Sequence, residues 1–260
     1  MIDFNDGIME IMTSIIAAMI VTMIGSIGTI IFTKIKNRKK ANLYKRIKEA
    51  NLVNFFYDRN VLNSDSGSVG DDIKRAEKEV FLIGSWLTSA NNEEFRRAVC
   101  ERAEAGVEFY FCFNKLDYNT IEIYAKFINS NVEDIVQSLY NTYARVFEIK
   151  KELSAEPRNK IHIYSHNQML VTAFWGFDIN HKKAKKRRYK LDHKLVKGEI
   201  SHSYGIEFCY TKKCEFSSNI RDAYMFVLDN ANKLDNIDDL LNESSQINKN
   251  MHDIINKNFK

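Results

Sequence analysis

The chain has 260 residues, of which 45% are apolar, 28% charged and 12% aromatic, and this composition excludes a wholly disordered protein. The length allows one domain with an appendage, or two small domains. A single proline and ten glycines argue against a β-sandwich with many tight turns. Four cysteines without CxxC spacing argue against a disulfide framework and a zinc site, so we predict no metal and no cofactor.

The net charge of +4 hides two concentrated basic segments. Residues 34–48 carry eight Lys/Arg and no acid, whereas residues 182–194 carry eight Lys/Arg and one acid, Asp192. The rest of the chain therefore has a net charge of −11. Segregated charge of this kind indicates anionic partners more directly than the total charge does.

The first element in chain order is an uncharged apolar run at residues 11–32. A helix of this length spans about 33 Å, which matches a hydrocarbon core of about 30 Å, so the run predicts one transmembrane helix. Acids precede the run and Lys/Arg residues follow it, so the positive-inside rule predicts an inner-membrane protein with its N-terminus outside and its C-terminal domain cytoplasmic. Residues 34–48 are then expected to contact anionic headgroups, and small residues within the span favour a homo-oligomer.

The periodicity beyond the basic segment predicts alternating helices and strands. A helical stripe covers residues 41–57, and a polar loop covers 60–70. Two helix–strand units follow, which end in the buried strands FLIGSWL and EFYFCFN, and Gly106 stands where a helix C-cap belongs. Helix, strand, helix, strand at this spacing is typical of parallel α/β sheets.

The second half of the chain continues the pattern. A long helical stretch covers residues 119–153, with an interruption at 129–131 left open. Strands are expected at KIHIYS, MLVTAFWGFD and SYGIEFCY, and helices at 218–234 and 237–255. We therefore predict an α/β fold with four segments: an N-terminal tail and transmembrane helix (1–33), a basic juxtamembrane segment (34–50), an α/β domain with a mixed sheet and a long helical insert (51–235), and an amphipathic C-terminal helix (236–260).

The run IKRAEKEVFLIGSWLTS, followed by EFRRAVCERAEAGVEFYFCFN, resembles the start of a phospholipase D-like domain. The later order of a helical insert, three strands and a closing helix is also similar, so the resemblance covers roughly residues 51–235. Active members of that superfamily carry HxK followed four residues later by Asp. In them the His attacks phosphorus and the Lys holds phosphate oxygens.

This chain lacks the complete motif. His181 has Lys183 two residues on, but Arg188 occupies the position of the Asp. His162 is followed two residues on by Tyr164, and His193 is followed directly by Lys194 with no Asp at the needed offset. The resemblance therefore implies a domain that keeps the ligand cleft without the hydrolytic chemistry. Such a domain is expected to bind a nucleotide or another phosphorylated small molecule, and we predict no catalytic residue.

Two sets of residues are candidates for ligand contacts. Ligands of open α/β sheets bind at the carboxyl ends of the strands, and the strand-end and histidine candidates are Ser85, Asn114, Lys115, His162, His166, His193 and Lys194. The second set is a basic patch for phosphate or nucleic acid, formed by Lys182, Lys183, Lys185, Lys186, Arg187 and Arg188. Packing, or a solvated loop, is the alternative for each set. Asp178 and Glu207 are candidates for structural ion pairs.

Three functions are compatible with these features. The first is a membrane-anchored sensor or effector that binds a phosphorylated signal, in bacterial antiviral or stress defence. The second is an active phosphodiesterase, nuclease or lipase that uses His162 or His193. The third is a membrane scaffold that recruits a protein or nucleic acid through the basic loop and the C-terminal tail. The missing motif favours the first, because phosphoryl transfer needs a positioned cation.

Overall fold

The computed structural model describes residues 33–56, 68–182, 184, 187–193 and 204–245. The chain divides into two compact units, Met1–Glu49 and Ala50–Lys260. In the first unit, residues 33–49 form helix α1, on which every Lys and Arg side chain is exposed. The second unit is built on an eight-stranded sheet. The four segment boundaries expected from the sequence stay predictions.

The strands have the order β1-β7-β6-β5-β2-β3-β4-β8 across the sheet. In chain order they are β1 (Leu52–Phe56), β2 (Glu79–Gly84), β3 (Glu108–Asn114), β4 (Ile161–His166), β5 (Thr172–Phe177), β6 (Arg188–His193), β7 (Tyr204–Cys209) and β8 (Asn232–Leu234). β2, β3 and β4 pair in parallel, and the remaining pairs are antiparallel. We call β2–β3–β4 the parallel half and β1–β7–β6–β5 the antiparallel half.

Helices cover both faces of this mixed sheet. They are α2 (Val69–Lys74), a 3-10 turn (Thr88–Asn91), α3 (Glu93–Glu104), α4 (Tyr118–Ile128), α5 (Val132–Glu152), α6 (Ala155–Arg158), α7 (Glu215–Asp229) and α8 (Ile237–Ser245). Side-chain oxygens cap several of their first turns: Ser68 forms a capping box with Asp71, and Asn92, Asp117 and Asn131 accept from backbone amides of the helices they precede. Gly106 has φ +86°, the left-handed conformation expected where α3 turns into β3.

The core lies on both faces because buried strands alternate their side chains. In β2, Val80 and Leu82 pack in the larger cluster with α2–α5 and α8, whereas Phe81 and Ile83 pack in the smaller cluster with α7. Burial on both faces explains why the β2 sequence EVFLIG is a continuous apolar run with little alternation.

The pairing brings the carboxyl ends of five strands to one edge of the sheet, which we call the carboxyl edge. β1 and β6 run in the same direction as β2, because an even number of antiparallel steps separates each of them from it. The five strand ends are Phe56, Gly84, Asn114, His166 and His193. β5 and β7 begin at the same edge, at Thr172 and Tyr204.

The predicted membrane architecture is corrected. The expected span, residues 11–32, lies outside the described residues. Among the residues that are described, none of the helices combines the length and the apolar character needed to cross a membrane. Even the 21-residue α5 is amphipathic, with acids in its first turn and lysines in its last. The fold is therefore α/β with a mixed sheet, and the transmembrane helix, the single-pass topology and the inner-membrane localisation are withdrawn.

The structure differs from the predicted elements at four places. The helix expected at 218–234 ends at Asp229, and residues Asn232–Leu234 form β8. Residues 52–56 form β1, although the helical stripe was expected to continue to residue 57; Asn51, with φ 54°, separates the helix from the strand. Asn129, with φ 56°, divides the expected helix at 119–153 into α4 and α5. The run RYKLDH, which was expected to be part of a basic loop, forms β6 in the middle of the antiparallel half.

Candidate functional site

In the parallel half of the carboxyl edge, the predicted site residues bind the chain's own backbone. Ser85 Oγ donates to the Leu170 carbonyl oxygen at 2.9 Å, and the Tyr124 hydroxyl contacts both groups. Asn114 Nδ2 donates to the Gln168 carbonyl oxygen at 3.0 Å. The residues that follow β4 therefore lie over the strand ends, where a ligand was expected.

His166 is held in the same way. Its Nδ1 accepts from the Gln168 backbone N–H at 3.1 Å, which assigns the ring proton to Nε2, and Nε2 lies 2.9 Å from the Gly84 carbonyl oxygen. Burial lowers the pKa of His166 to about 4, so the ring is neutral at pH 7. With both nitrogens engaged by backbone, this imidazole has no lone pair available for phosphorus and no N–H available for a ligand.

Two further contacts make this half rigid. The Tyr143 hydroxyl lies between the ends of β3 and β4, within 3.2 Å of the carbonyl oxygens of Phe113, Asn114 and Tyr164. Lys115, which is half-buried, donates its backbone N–H to the His166 carbonyl oxygen at 2.8 Å. The one polar atom left over is Asn114 Oδ1, which is buried without a hydrogen-bond partner among the described residues.

The antiparallel half of the same edge is arranged differently around His193. Its Nδ1 lies 2.6 Å from Thr172 Oγ1, and its ring stacks on Tyr204 with centroids 4.7 Å apart. Thr172 is itself positioned by the Tyr224 hydroxyl, which donates to its carbonyl oxygen at 2.8 Å. The His193 side chain is half-buried, and no described residue is within hydrogen-bond distance of its Nε2. Lys194, the next residue, lies outside the described residues.

His162 belongs to neither arrangement. It lies near the amino end of β4, four residues and about 13 Å along the strand from His166. Its ring stacks on Tyr110 at 4.9 Å, and burial lowers its pKa, with the Glu108 carboxylate acting in the opposite direction. The two histidines of β4 therefore do not share a site.

The described residues of the predicted basic patch, Lys182, Arg187 and Arg188, lie at the opposite edge of the sheet from His193, because they follow the end of β5 or begin β6. Lys182 is exposed, while Lys183, Lys185 and Lys186 lie outside the described residues. The Arg187 guanidinium lies 5.5 Å from the centre of the Tyr210 ring, a cation–π distance. The described residues of the patch therefore do not share a site with His166 and His193.

Part of the basic segment is structural. Arg188 Nη1 lies 2.8 Å from Asp72 Oδ1, and Lys190 Nζ lies 2.5 Å from Asp72 Oδ2, with Lys190 and Asp72 both fully buried. Glu207 is 3.7 Å from Arg188. Buried charges need partners, and here α2 supplies the carboxylate for two cations of β6. The period-2 pattern of RYKLDH, with Tyr and Leu between polar residues, was the signal for this strand.

The other predicted carboxylate has a different role from an ion pair. Asp178, in the left-handed conformation with φ 57°, accepts from the backbone N–H groups of Glu77, Lys78 and Glu79 at 2.6–3.1 Å. It therefore holds the start of β2 against the end of β5. Within the described part of the chain, no group of three or more His, Cys, Asp or Glu side chains is placed to hold a metal ion.

Comparisons with known proteins do not assign a family. No protein-family model matches this chain, and no curated protein is similar to it in sequence. Among solved structures, an archaeal chromatin protein, TrmBL2, whose structure shows a novel mode of DNA binding, has 9% sequence identity and a TM-score of 0.38. The similarity covers 76% of this chain and 63% of that protein, so this chain spans less than two thirds of it. A similarity this low does not establish a shared function.

Proposed function

We propose that the α/β unit is a binding module for a phosphorylated small molecule, which it holds at His193 without cleaving it. The observation that carries the proposal is the fixed imidazole at the carboxyl edge, with Thr172 on Nδ1, Tyr204 against the ring, and Nε2 without a described partner. In the tautomer whose Nδ1 accepts from Thr172, and in the protonated ring, Nε2 is a donor that suits a phosphoryl oxygen.

The partner of Nδ1 argues for binding over catalysis. A histidine that works as nucleophile or general base is usually oriented by a third group, most often a carboxylate that stabilises the imidazolium. Here the orienting group is the neutral Thr172 hydroxyl. The neighbouring Asp192 is buried and lies at the alternate position of β6, so its side chain leaves the sheet on the opposite face from the His193 ring.

The experiment is calorimetric titration of the full-length chain with inorganic phosphate, ribose 5-phosphate and nucleoside monophosphates. The expected result is saturable binding that His193→Gln weakens about tenfold or more, since it removes a charge-assisted hydrogen bond. The matched control is His162→Gln, a half-buried stacked histidine on β4, which should bind as the unmodified protein does. Phosphorus NMR of the same samples should show every probe intact.

Two results would overturn the proposal. One is the absence of binding to any phosphorylated probe, or equal binding by His193→Gln and the unmodified protein. The other is cleavage of a probe that His193→Ala abolishes, which would establish the alternative, a phosphodiesterase. Descent from phospholipase D-like domains, a role in defence and homo-oligomer formation stay predictions that no comparison tests.

A second candidate function is nucleic-acid binding by helix α1. All eight Lys/Arg residues between 34 and 48 are exposed on this helix, and among its described contacts only the Lys45–Glu49 ion pair, at 3.8 Å, offsets a cation. A helix with this charge density is suited to a phosphate backbone. Fluorescence anisotropy with labelled DNA duplex should show affinity that falls steeply between about 50 mM and 200 mM salt. Replacing Lys34, Lys36 and Arg38 with Gln should flatten that dependence, and unchanged binding would exclude this candidate.

A further inference from the structure

The aromatic rings beside His193 form a row that the phosphate-binding role does not need. Phe55 of β1 lies 6.0 Å from Tyr204 of β7, and Tyr204 lies 4.7 Å from His193 of β6, measured between ring centres. The interplanar angles are 32° and 29°, so the three rings follow one another across adjacent strands. We call Phe55, Tyr204 and His193 the aromatic row.

The Phe55 end of the aromatic row is exposed to solvent. Phe55 is 55% exposed, and Tyr204 is half-buried. On the same face of the sheet, deeper in the antiparallel half, Phe208 and Phe174 are covered by α7 and are at most 3% exposed. The Phe55 ring therefore presents an exposed aromatic surface beside the covered aromatic cluster.

The charge around the row selects a neutral partner for the rings. The side chains that share this face on the three strands are apolar or aromatic: Leu52, Tyr189, Leu191, Ile206 and Phe208. The nearby carboxylate Glu207 is at an alternate position of β7 and lies on the opposite face with Arg188. A ligand that fits this face therefore needs a flat, uncharged π system to contact the rings and an anionic group that reaches His193.

From this arrangement we infer that the ligand is a nucleotide, whose base stacks on the aromatic row at Phe55 and Tyr204 while its phosphate reaches His193. Stacking on aromatic side chains is how proteins hold bases without reading their edges, because every base has a π face. This inference rests on the proposed function, and it excludes phosphosugars as the preferred ligand class.

The test compares AMP with ribose 5-phosphate, which carry the same phosphate and differ in the base. AMP should bind the full-length chain more tightly, and Phe55→Leu should weaken AMP binding roughly fivefold or more while leaving ribose 5-phosphate unchanged. Phe55→Trp should keep AMP affinity, and its indole fluorescence should be quenched by AMP and not by ribose 5-phosphate. Phe226→Leu is the matched control, since Phe226 is 64% exposed on α7 and has no place in the row.

The outcomes separate this inference from the proposed function. Equal affinity for AMP and ribose 5-phosphate, or no effect of Phe55→Leu, overturns the nucleotide assignment; the proposed function then stands if His193→Gln still weakens both probes. If neither probe binds, the proposed function fails as well. If Phe55→Leu instead changes the sedimentation of the protein and not its ligand affinity, the row is a contact between copies of the chain, and the inference is also lost.

Discussion

The two halves of the carboxyl edge have similar polar residues and use them in opposite ways. In the parallel half, Ser85, Asn114 and His166 are nearly completely buried and bound to the chain's own carbonyl groups. In the antiparallel half, His193 is fixed at one nitrogen and has no described partner at the other. The comparison shows that a polar residue at a strand end is a binding candidate only if its hydrogen bonds are not already made within the fold.

The largest expected difference is in stability. His166→Ala should lower the free energy of unfolding by about 2–4 kcal/mol, because it removes a buried ring and leaves the Gly84 carbonyl and the Gln168 amide without their partner. His193→Ala should cost less than about 1 kcal/mol, since that side chain is half-exposed. Urea unfolding monitored by circular dichroism measures both. Similar costs for the two variants would contradict the distinction between the halves.

The same histidine predicts a pH dependence. The folded protein protonates His166 near pH 4 and the unfolded chain near pH 6.5, so between these values the unfolded state binds more protons. The stabilisation is therefore complete above about pH 6.5 and is lost as the pH falls, by about 3 kcal/mol once the pH is below about 4. Unfolding curves across this range, compared with those of His166→Gln, isolate the effect. A constant difference between the two proteins would refute it.

A smaller effect is expected from single hydroxyl groups. Tyr124→Phe removes the hydroxyl that contacts Ser85 and the Leu170 carbonyl, so it should cost about 1 kcal/mol and speed amide exchange in residues 168–171. Tyr204→Phe is the control in the antiparallel half, because no described residue hydrogen-bonds its hydroxyl. Its stability should match that of the unmodified protein. If Tyr204→Phe lowered the free energy of unfolding as much as Tyr124→Phe does, the Tyr204 hydroxyl would also be hydrogen-bonded within the fold, and the two halves would not differ in this respect.

The smallest perturbation is thiol labelling of the native protein, which changes no residue. Cys209 on β7 is exposed, whereas Cys112 on β3 is fully buried, and this burial raises the pKa of the Cys112 thiol. A chromogenic disulfide reagent should react rapidly with Cys209 and with Cys112 only after unfolding. In a Cys100→Ser background, which removes the half-buried Cys100 thiol, Cys209→Ser should abolish the fast phase, and rapid labelling that persists there would contradict the burial of Cys112 and Cys214.

The strands of the parallel half were readable in the sequence. EFYFCFN and the apolar run before Gly84 are buried on both faces, and such strands are continuous apolar segments bounded by helix signals. β6 was missed as a strand although its residues alternate, because its Lys190 was counted with the surface cations. Only the pairing of Lys190 with Asp72, more than a hundred residues earlier in the chain, makes a buried lysine stable there.

The site shows the same division. His166 and His193 were both predicted ligand contacts, and the structure places them at the carboxyl ends of β4 and β6, at one edge of the sheet. Nothing in the local sequence distinguishes His166, whose two ring nitrogens are both engaged by backbone groups, from His193, whose Nε2 has no described partner. That difference depends on the tertiary surroundings of each ring: the turn at Gln168 and the end of β2 at Gly84 engage both nitrogens of His166.

The amino-acid sequence by itself determined the local features of this protein: the helix caps, the left-handed Gly106, the apolar strands and the lack of a complete HxK motif with its Asp, because each depends on neighbouring residues alone. Tertiary structure decided which charges are buried, which histidine has a nitrogen without a partner among the described residues, and that Phe55 joins Tyr204 and His193 in one row. These outcomes depend on strand order, since only the sheet brings together groups that are far apart along the chain.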